Sequence, residues 1–264
     1  MIVTNSLSVG YDDKTIVKNV NLNIKKGSIV SIIGPNGSGK STLLKSVARL
    51  LKHQSGSILF GGKDMCCIKT KEIAQRMSVL SQTNITPDDM TVKRLVEYGR
   101  LPHRKWYETA SSKDIDIIQW ALKQTNMEKF EDRRLCCLSG GERQRAWISM
   151  ALAQKPDVLL LDEPTTYLDI SHQYEVMNLV ERLNKKLGVT VIMVLHDLNQ
   201  AIRYSDEIYA LKKGQVVASG SAEKVLTAEN IKNIYSLEVD IIEGANAGHS
   251  LIVPKAENTL LEVS

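Results

Sequence analysis

The tightest constraint on this chain is eight residues long. Gly34-Pro35-Asn36-Gly37-Ser38-Gly39-Lys40-Ser41 follows Ile29 to Ile33, a nearly all-apolar run suited to a strand buried on both faces. It precedes Leu43, Val47 and Leu51, whose fourfold spacing marks one face of a helix. A buried strand, a glycine-rich turn and an amphipathic helix in succession make a phosphate-binding loop. Loop glycines let successive backbone N–H groups converge where side chains would block the approach. The helix adds its positive end. Lys40 then supplies a charge for the β- and γ-phosphates, and the Ser41 hydroxyl is placed to ligate Mg2+.

Such a site needs a carboxylate for the metal at the end of a neighbouring strand. Val158-Leu159-Leu160-Leu161-Asp162 supplies one, with Asp162 as the metal ligand and Glu163 beside it to polarise an attacking water. Two acids after a strand also suit the cap of a following helix, so this pair has weight only beside the loop.

The rest of the chain fits an α/β fold. Ile2 to Val9, Val20 to Ile24 and Ser28 to Ile33 read as strands separated by turn residues, and they predict an N-terminal β subdomain. Residues from about 87 to 156 are helix-rich and more polar, and they predict a helical insertion. Strand–helix alternation then resumes with Val158 to Leu161, a helix around Gln173 to Leu187, Val189 to Leu195, a helix from Leu198, and Glu207 to Leu211. That alternation implies a parallel sheet covered on both faces. Lys213-Gly214-Gln215 suggests a hairpin turn into Val216 to Ala218. The expected division is a nucleotide-binding domain over residues 1–240 and an extension over 241–264, with a final strand pair expected from Ile241-Ile242 and Leu251-Ile252-Val253 and a weakly ordered tail from Lys255.

Bulk properties exclude several classes. A net charge of +4, spread without a basic block, argues against a nucleic-acid partner. No apolar run is long enough to span a bilayer, and Met1 to Asn5 lacks the charged and apolar pattern of an export signal. The four cysteines form two adjacent pairs, Cys66-Cys67 and Cys136-Cys137, without the spacer of common zinc or redox motifs, and free thiols are expected.

Leu138-Ser139-Gly140-Gly141-Glu142 gives these features a collective meaning. With it, the chain resembles an ATP-binding cassette ATPase along nearly its whole length, which implies a P-loop core with an antiparallel β subdomain. Gly34 to Ser41, continued by Thr42, match the Walker A motif and Val158 to Glu163 match Walker B. Leu138 to Glu142 match the family signature, and Leu168-Asp169 the end of the D-loop. His196 matches the switch histidine, Gln82 the Q-loop glutamine that also meets the metal, and Tyr11 the aromatic that stacks on adenine. The resemblance implies ATP and Mg2+ as ligands. It also implies a head-to-tail pair in which Ser139, Gly140, Gly141, Glu142 and Asp169 of one copy complete the ATP site of the other. Free N–H groups at the start of the helix expected from Glu142 to Gln154 suit that anion-binding role.

Glu163-Pro164-Thr165-Thr166-Tyr167-Leu168-Asp169-Ile170-Ser171-His172-Gln173 is similar to the same stretch in bacterial importers of ferric siderophores. Arg143 to Ile148, Leu195 to Ala201 and Glu97 to His103 look like the same group. This resemblance implies an ATP-hydrolysing subunit at the cytoplasmic face of the inner membrane. It would bind separate permease subunits through the helical insertion, with Thr91 to Tyr107 as the contact, and serve an extracytoplasmic binding protein indirectly. Vitamin B12 and haem importers are close alternatives, and a soluble cassette protein outside transport is a more distant one. The signature and His196 disfavour a kinase or GTPase.

Overall fold

Three consecutive strands with different neighbours lay out the first half of the computed structural model, which describes residues 1–12, 14–82, 87–105, 108–243 and 250–255. Strand β1 (Ile2–Tyr11) pairs antiparallel with β2 (Lys14–Ile24), setting Ile2 opposite Ile24. Strand β3 (Ile29–Ile33) leaves this ribbon, is buried throughout, and ends at the glycine loop, from which helix α1 (Lys40–Val47) rises. The chain then returns to the ribbon as β4 (His53–Phe60) and β5 (Lys63–Asp64), before α2 (Thr70–Arg76) and β6 (Met77–Leu80). The strand expected at Val20 begins at Lys14 instead, because pairing with β1 extends it beyond its most apolar stretch.

The helical insertion holds α3 (Val92–Tyr98), α4 (Ser112–Gln124) and α5 (Gly140–Ala153). After it come β7 (Val158–Asp162), α6 (Ile170–Leu187), β8 (Thr190–Val194), α7 (Leu198–Tyr204), β9 (Glu207–Lys212) and β10 (Gln215–Gly220). Short helices α8 (Ala222–Val225) and α9 (Ala228–Tyr235) lead to a hairpin of β11 (Val239–Glu243) and β12 (Ser250–Pro254).

Two main sheets result. One is antiparallel, in the order β2-β1-β4-β5. The other runs β10-β9-β3-β8-β7-β6, parallel except where β10 turns back along β9. The central strands are apolar on both faces, and alternate residues divide between two cores as the pleat requires. Val30, Ile32, Leu160 and Ile192 pack with α1 and the antiparallel sheet. Ile29, Ile33, Leu159, Leu161, Val191 and Met193 join the core built on α5, α6 and α7. The same core continues into the insertion through Leu95, Ile118 and Leu122. Val239 and Ile252 of the last hairpin also belong to it.

A buried charge cluster fastens the insertion. Arg100 Nε lies 2.9 Å from Asp114 Oδ1, and its Nη1 donates to the Ala153 carbonyl at 2.6 Å. Arg104 Nε reaches Asp114 Oδ2 at 3.2 Å, and Ser111, which caps α4, donates to the same oxygen at 2.7 Å. Burial by itself would raise the Asp114 pKa, but hydrogen bonds from Arg100 and Ser111 hold it well below the usual carboxylate range.

Candidate active site

Four neighbouring strands, β3, β8, β7 and β6, run parallel, so their carboxyl ends share one edge of the sheet. The phosphate loop follows β3, His196 follows β8, Asp162 and Glu163 end β7, and Gln82 follows β6. Residues up to 162 positions apart in sequence thus meet above one edge, where ligands of open α/β sheets commonly bind.

The loop is shaped by backbone that only glycine tolerates. Gly34 has φ +146°, and a Cβ there would lie 2.1 Å from the Leu211 carbonyl oxygen and 2.8 Å from Ser38 Oγ. Asn36 and Gly37 form the exposed tip, while Ser38 is buried with its Oγ unpartnered. Helix α1 starts after Gly39 with no side-chain cap, so no side chain competes for its first N–H groups. Lys40 is 6% exposed, and its Nζ donates to Gly34 O at 2.9 Å and Pro35 O at 3.1 Å. Burial lowers its pKa, and the opposing charges of Glu163 and Asp162 act against that. Thr42, one position past Ser41, is partly exposed on the first turn of α1.

Ser41 Oγ donates to Asp162 Oδ1 at 2.9 Å. Burial raises the Asp162 pKa, Ser41 lowers it, and neighbouring Glu163 raises it further. A hydroxyl and a carboxylate side by side are hard oxygen donors of the kind Mg2+ prefers, so the residues present fit that ion. Glu163 turns into an αL conformation at φ +53°, and its two oxygens have separate partners. Oε2 accepts from Gln82 Nε2 at 2.7 Å and from the Thr166 hydroxyl at 3.1 Å, while Oε1 lies 2.5 Å from His196 Nε2. Gln82, Glu163 and His196, predicted from three separate segments, therefore form one cluster.

The signature turn is built differently. Helix α5 starts at Gly140, two residues before the expected Glu142, because Ser139 caps it. Glu142 N donates to Ser139 Oγ at 3.3 Å, and Ser139 N donates to Glu142 Oε2 at 2.8 Å. Glu142 is thus occupied with its own helix end, which leaves the Gly140 and Gly141 amides as the open donors of the first turn. No hydrogen bond among the described residues joins this turn to the phosphate loop of the same chain. It packs instead on the segment 167–172: a Cβ on Gly141 would fall 2.2 Å from His172 Cδ2, and one on Gly140 3.1 Å from Leu168 Cδ2. His172 is held by Asp169, whose Oδ2 lies 2.8 Å from His172 Nδ1 and whose Oδ1 caps α6. Backbone and side-chain hydrogen bonds from His172 lower the Asp169 pKa to about 2. Tyr11 stands at the far end of β1, 47% exposed and outside these clusters.

Sequence reasoning gave Thr166 and His172 no role of their own in the site and did not see the chain of amides behind them. Thr165 Oγ1 donates to Gln200 Oε1 at 3.3 Å, Gln200 Nε2 to Gln173 Oε1 at 2.7 Å, and Gln173 Nε2 to the Leu168 carbonyl at 2.9 Å. The three-residue spacing of Glu163 and Thr166 is a turn signal that points to the first. His172 and the Gln200–Gln173 pair come together only through packing.

The fold and this cluster define a P-loop nucleotide hydrolase of cassette type. A family model described as ABC transporter matches residues 17–166, and the chain belongs to that family, whose members are ATPases. It is 50% identical over 245 residues to the petrobactin import ATP-binding protein FpuC of Bacillus anthracis, covering 93% of this chain and 90% of that one. With the iron(3+)-hydroxamate import ATP-binding protein FhuC of Bacillus subtilis it shares 46% identity over 90% of this chain and 89% of the other. A metal-chelate type ABC transporter solved in an inward-facing conformation superposes with a TM-score of 0.85 at 26% identity, covering 97% of both chains. A bacterial ABC transporter cassette solved as a dimer superposes at 0.72 with 32% identity, over 84% of this chain and 99% of that one. No helix among the described residues is long and apolar enough to cross a membrane.

Proposed function

We propose that this chain is the ATP-hydrolysing subunit of an importer of ferric siderophores, driving uptake through separate permease subunits from the cytoplasmic face of the inner membrane. The observation that carries the engine is the meeting of Gln82 and His196 on the two oxygens of Glu163, beside Lys40 and the Ser41–Asp162 pair. The cargo is supported by the 50% and 46% identities to proteins named for petrobactin and iron(3+)-hydroxamate import.

In this reading Tyr11 stacks on the adenine, and residues 34–42 wrap the phosphates. Lys40 Nζ exchanges the Gly34 and Pro35 carbonyls for β- and γ-phosphate oxygens. Ser41 and Asp162 would hold Mg2+, with Gln82 also meeting it, and the ion would neutralise charge that develops on the phosphates. Glu163 accepts the proton of the attacking water on one carboxylate oxygen, which frees the partner that oxygen now holds. His196, released from Oε1, donates to the γ-phosphate. A second copy lies head to tail, so that its Gly140 and Gly141 amides, squared by Ser139 and Glu142, face the same phosphate and its Asp169 lines the seam. ATP favours the closed pair, and loss of the γ-phosphate reopens it. The insertion, about 87–156, receives the permease; Thr91 to Lys105 of the proposed contact are described, whereas Trp106 and Tyr107 lie outside the described residues. An extracytoplasmic protein delivers the chelate, and nucleic acid has no part.

Uptake of labelled ferric siderophores, haem and cobalamin in cells with the gene intact, deleted or carrying Glu163→Gln tests this. Loss of siderophore uptake alone in both altered strains is the expected result. Loss of haem or cobalamin uptake instead would overturn the cargo, and normal uptake with Glu163→Gln would remove Glu163 from the chemistry.

A further inference from the structure

Two adjacent thiols stand immediately before the signature turn, and neither the fold nor the ATP site uses them. Cys136 and Cys137 end the 3-10 turn Leu135–Cys137, both exposed, with their Sγ atoms 3.8 Å apart. The Cys136 thiol donates to the Asp88 carbonyl at 3.4 Å. Leu135 beneath them is 2% exposed, and its N–H donates to Met90 O at 2.9 Å, so the turn carrying the pair is anchored. Cys66 and Cys67 are the same dipeptide and are also exposed, yet no hydrogen bond joins their sulfurs.

Neighbouring thiols either oxidise or chelate, and the separation favours the second. A disulfide needs its sulfurs ~2.0 Å apart with a near-perpendicular dihedral, so this pair would have to close by about 1.8 Å within the small ring of adjacent residues. A metal ion ~2.3 Å from each sulfur, as in zinc thiolates, subtends about 110° across the observed 3.8 Å, close to the tetrahedral angle. Chelation therefore needs almost no movement.

We propose that Cys136 and Cys137 form a dithiolate site for a thiophilic divalent cation of the zinc and cadmium class. Binding forms two metal–sulfur bonds and sends two thiol protons to solvent, with no change of oxidation state. The Cys136 hydrogen bond to Asp88 is given up. No group of three or more metal-ligating side chains occurs among the described residues, so the remaining coordination positions take water or an incoming ligand. Leu138 follows directly and Ser139 caps α5, so the site adjoins in sequence the turn assigned above to the second copy. The consequence that a hydrated cation there obstructs pairing rests on that assignment; the binding does not.

Titration of the reduced full-length chain with Zn2+ alone, without nucleotide, tests the site. The expected result is about one ion bound and close to two protons released per chain. Cys136→Ser and Cys137→Ser should each weaken binding at least about tenfold, or ~1.4 kcal/mol, while a double Cys66→Ser/Cys67→Ser variant binds as the parent does. Serine is nearly isosteric and both positions are exposed, so unchanged circular dichroism and ATP affinity confirm folded variants. Equal binding by Cys136→Ser and the parent, or loss in the Cys66/Cys67 variant instead, would overturn the proposal. Gel filtration of Glu163→Gln with ATP, with and without Zn2+, separates the two readings. A chain that binds Zn2+ but never pairs faults the dimer, and a chain that pairs but binds no Zn2+ faults the dithiolate site.

Discussion

At the scale of single residues, the site shows which glycines are needed for space and which for conformation. Gly34 needs both, since φ +146° and the Leu211 carbonyl each exclude a side chain. Gly141 lies in an ordinary helix and is required only because the His172 ring fills the space its Cβ would take. Gly141→Ala is therefore expected to push the signature turn off the 167–172 segment, at an overpacking cost of about 1–3 kcal/mol. ATP turnover should fall about tenfold or more, whereas nucleotide affinity of the single chain, set by residues 34–42, should hold within about twofold. Adding His172→Ala reopens the space and should recover most of the lost turnover. Steady-state ATPase rates with nucleotide titrations check this, and a double variant no better than Gly141→Ala would remove His172 as the obstacle.

Among the elements, the insertion depends on the Arg100–Asp114 pair more than on helix propensity. Both side chains are nearly buried, at 6% and 9% exposed, so removing one charge strands the other. Asp114→Asn should destabilise the protein by about 3–5 kcal/mol, read as a lower urea midpoint. The pH dependence has a definite sign. The folded Asp114 pKa lies below the unfolded value of ~3.9, so its stabilisation is complete above that pH and is lost as pH falls towards the folded value. Asp114→Asn should accordingly flatten the acid limb of the stability–pH curve. An unchanged limb would place the acid sensitivity elsewhere.

Over the whole molecule, the last hairpin adds to its buried Val239 and Ile252 a hydrogen-bonded tie to α7 through Asn199. Asn199 Nδ2 donates to the Ile252 carbonyl at 3.2 Å, and Ile252 N donates to Asn199 Oδ1 at 2.8 Å, a reciprocal pair that stands in for a missing strand neighbour. Asn199→Ala leaves both Ile252 groups without partners, a loss of about 1–3 kcal/mol. Faster amide hydrogen exchange over 250–254, with unchanged exchange in β3 and β7, is the expected readout; uniform acceleration would mean that the hairpin and core open together. The phosphate loop, the carboxylates after β7 and the parallel core were legible in the sequence because each depends on local chemistry: glycine for close backbone approach, an acid at a strand end, and apolar runs for double burial. Gln82 and His196 could be named from resemblance, but their meeting on opposite oxygens of Glu163 follows from the order β3-β8-β7-β6, which no local spacing contains. The capping of α5 by Ser139 and Glu142 is local and could have been read directly from the S-x-x-E pattern. The His172–Gly141 contact, the Gln200–Gln173 link and the buried Arg100–Asp114 pair were beyond reach, because each requires knowing which helix faces lie together. Sequence determined the chemistry at each strand end, and tertiary structure alone decided which ends became neighbours, since sheet order is fixed by the packing of distant segments rather than by any one of them.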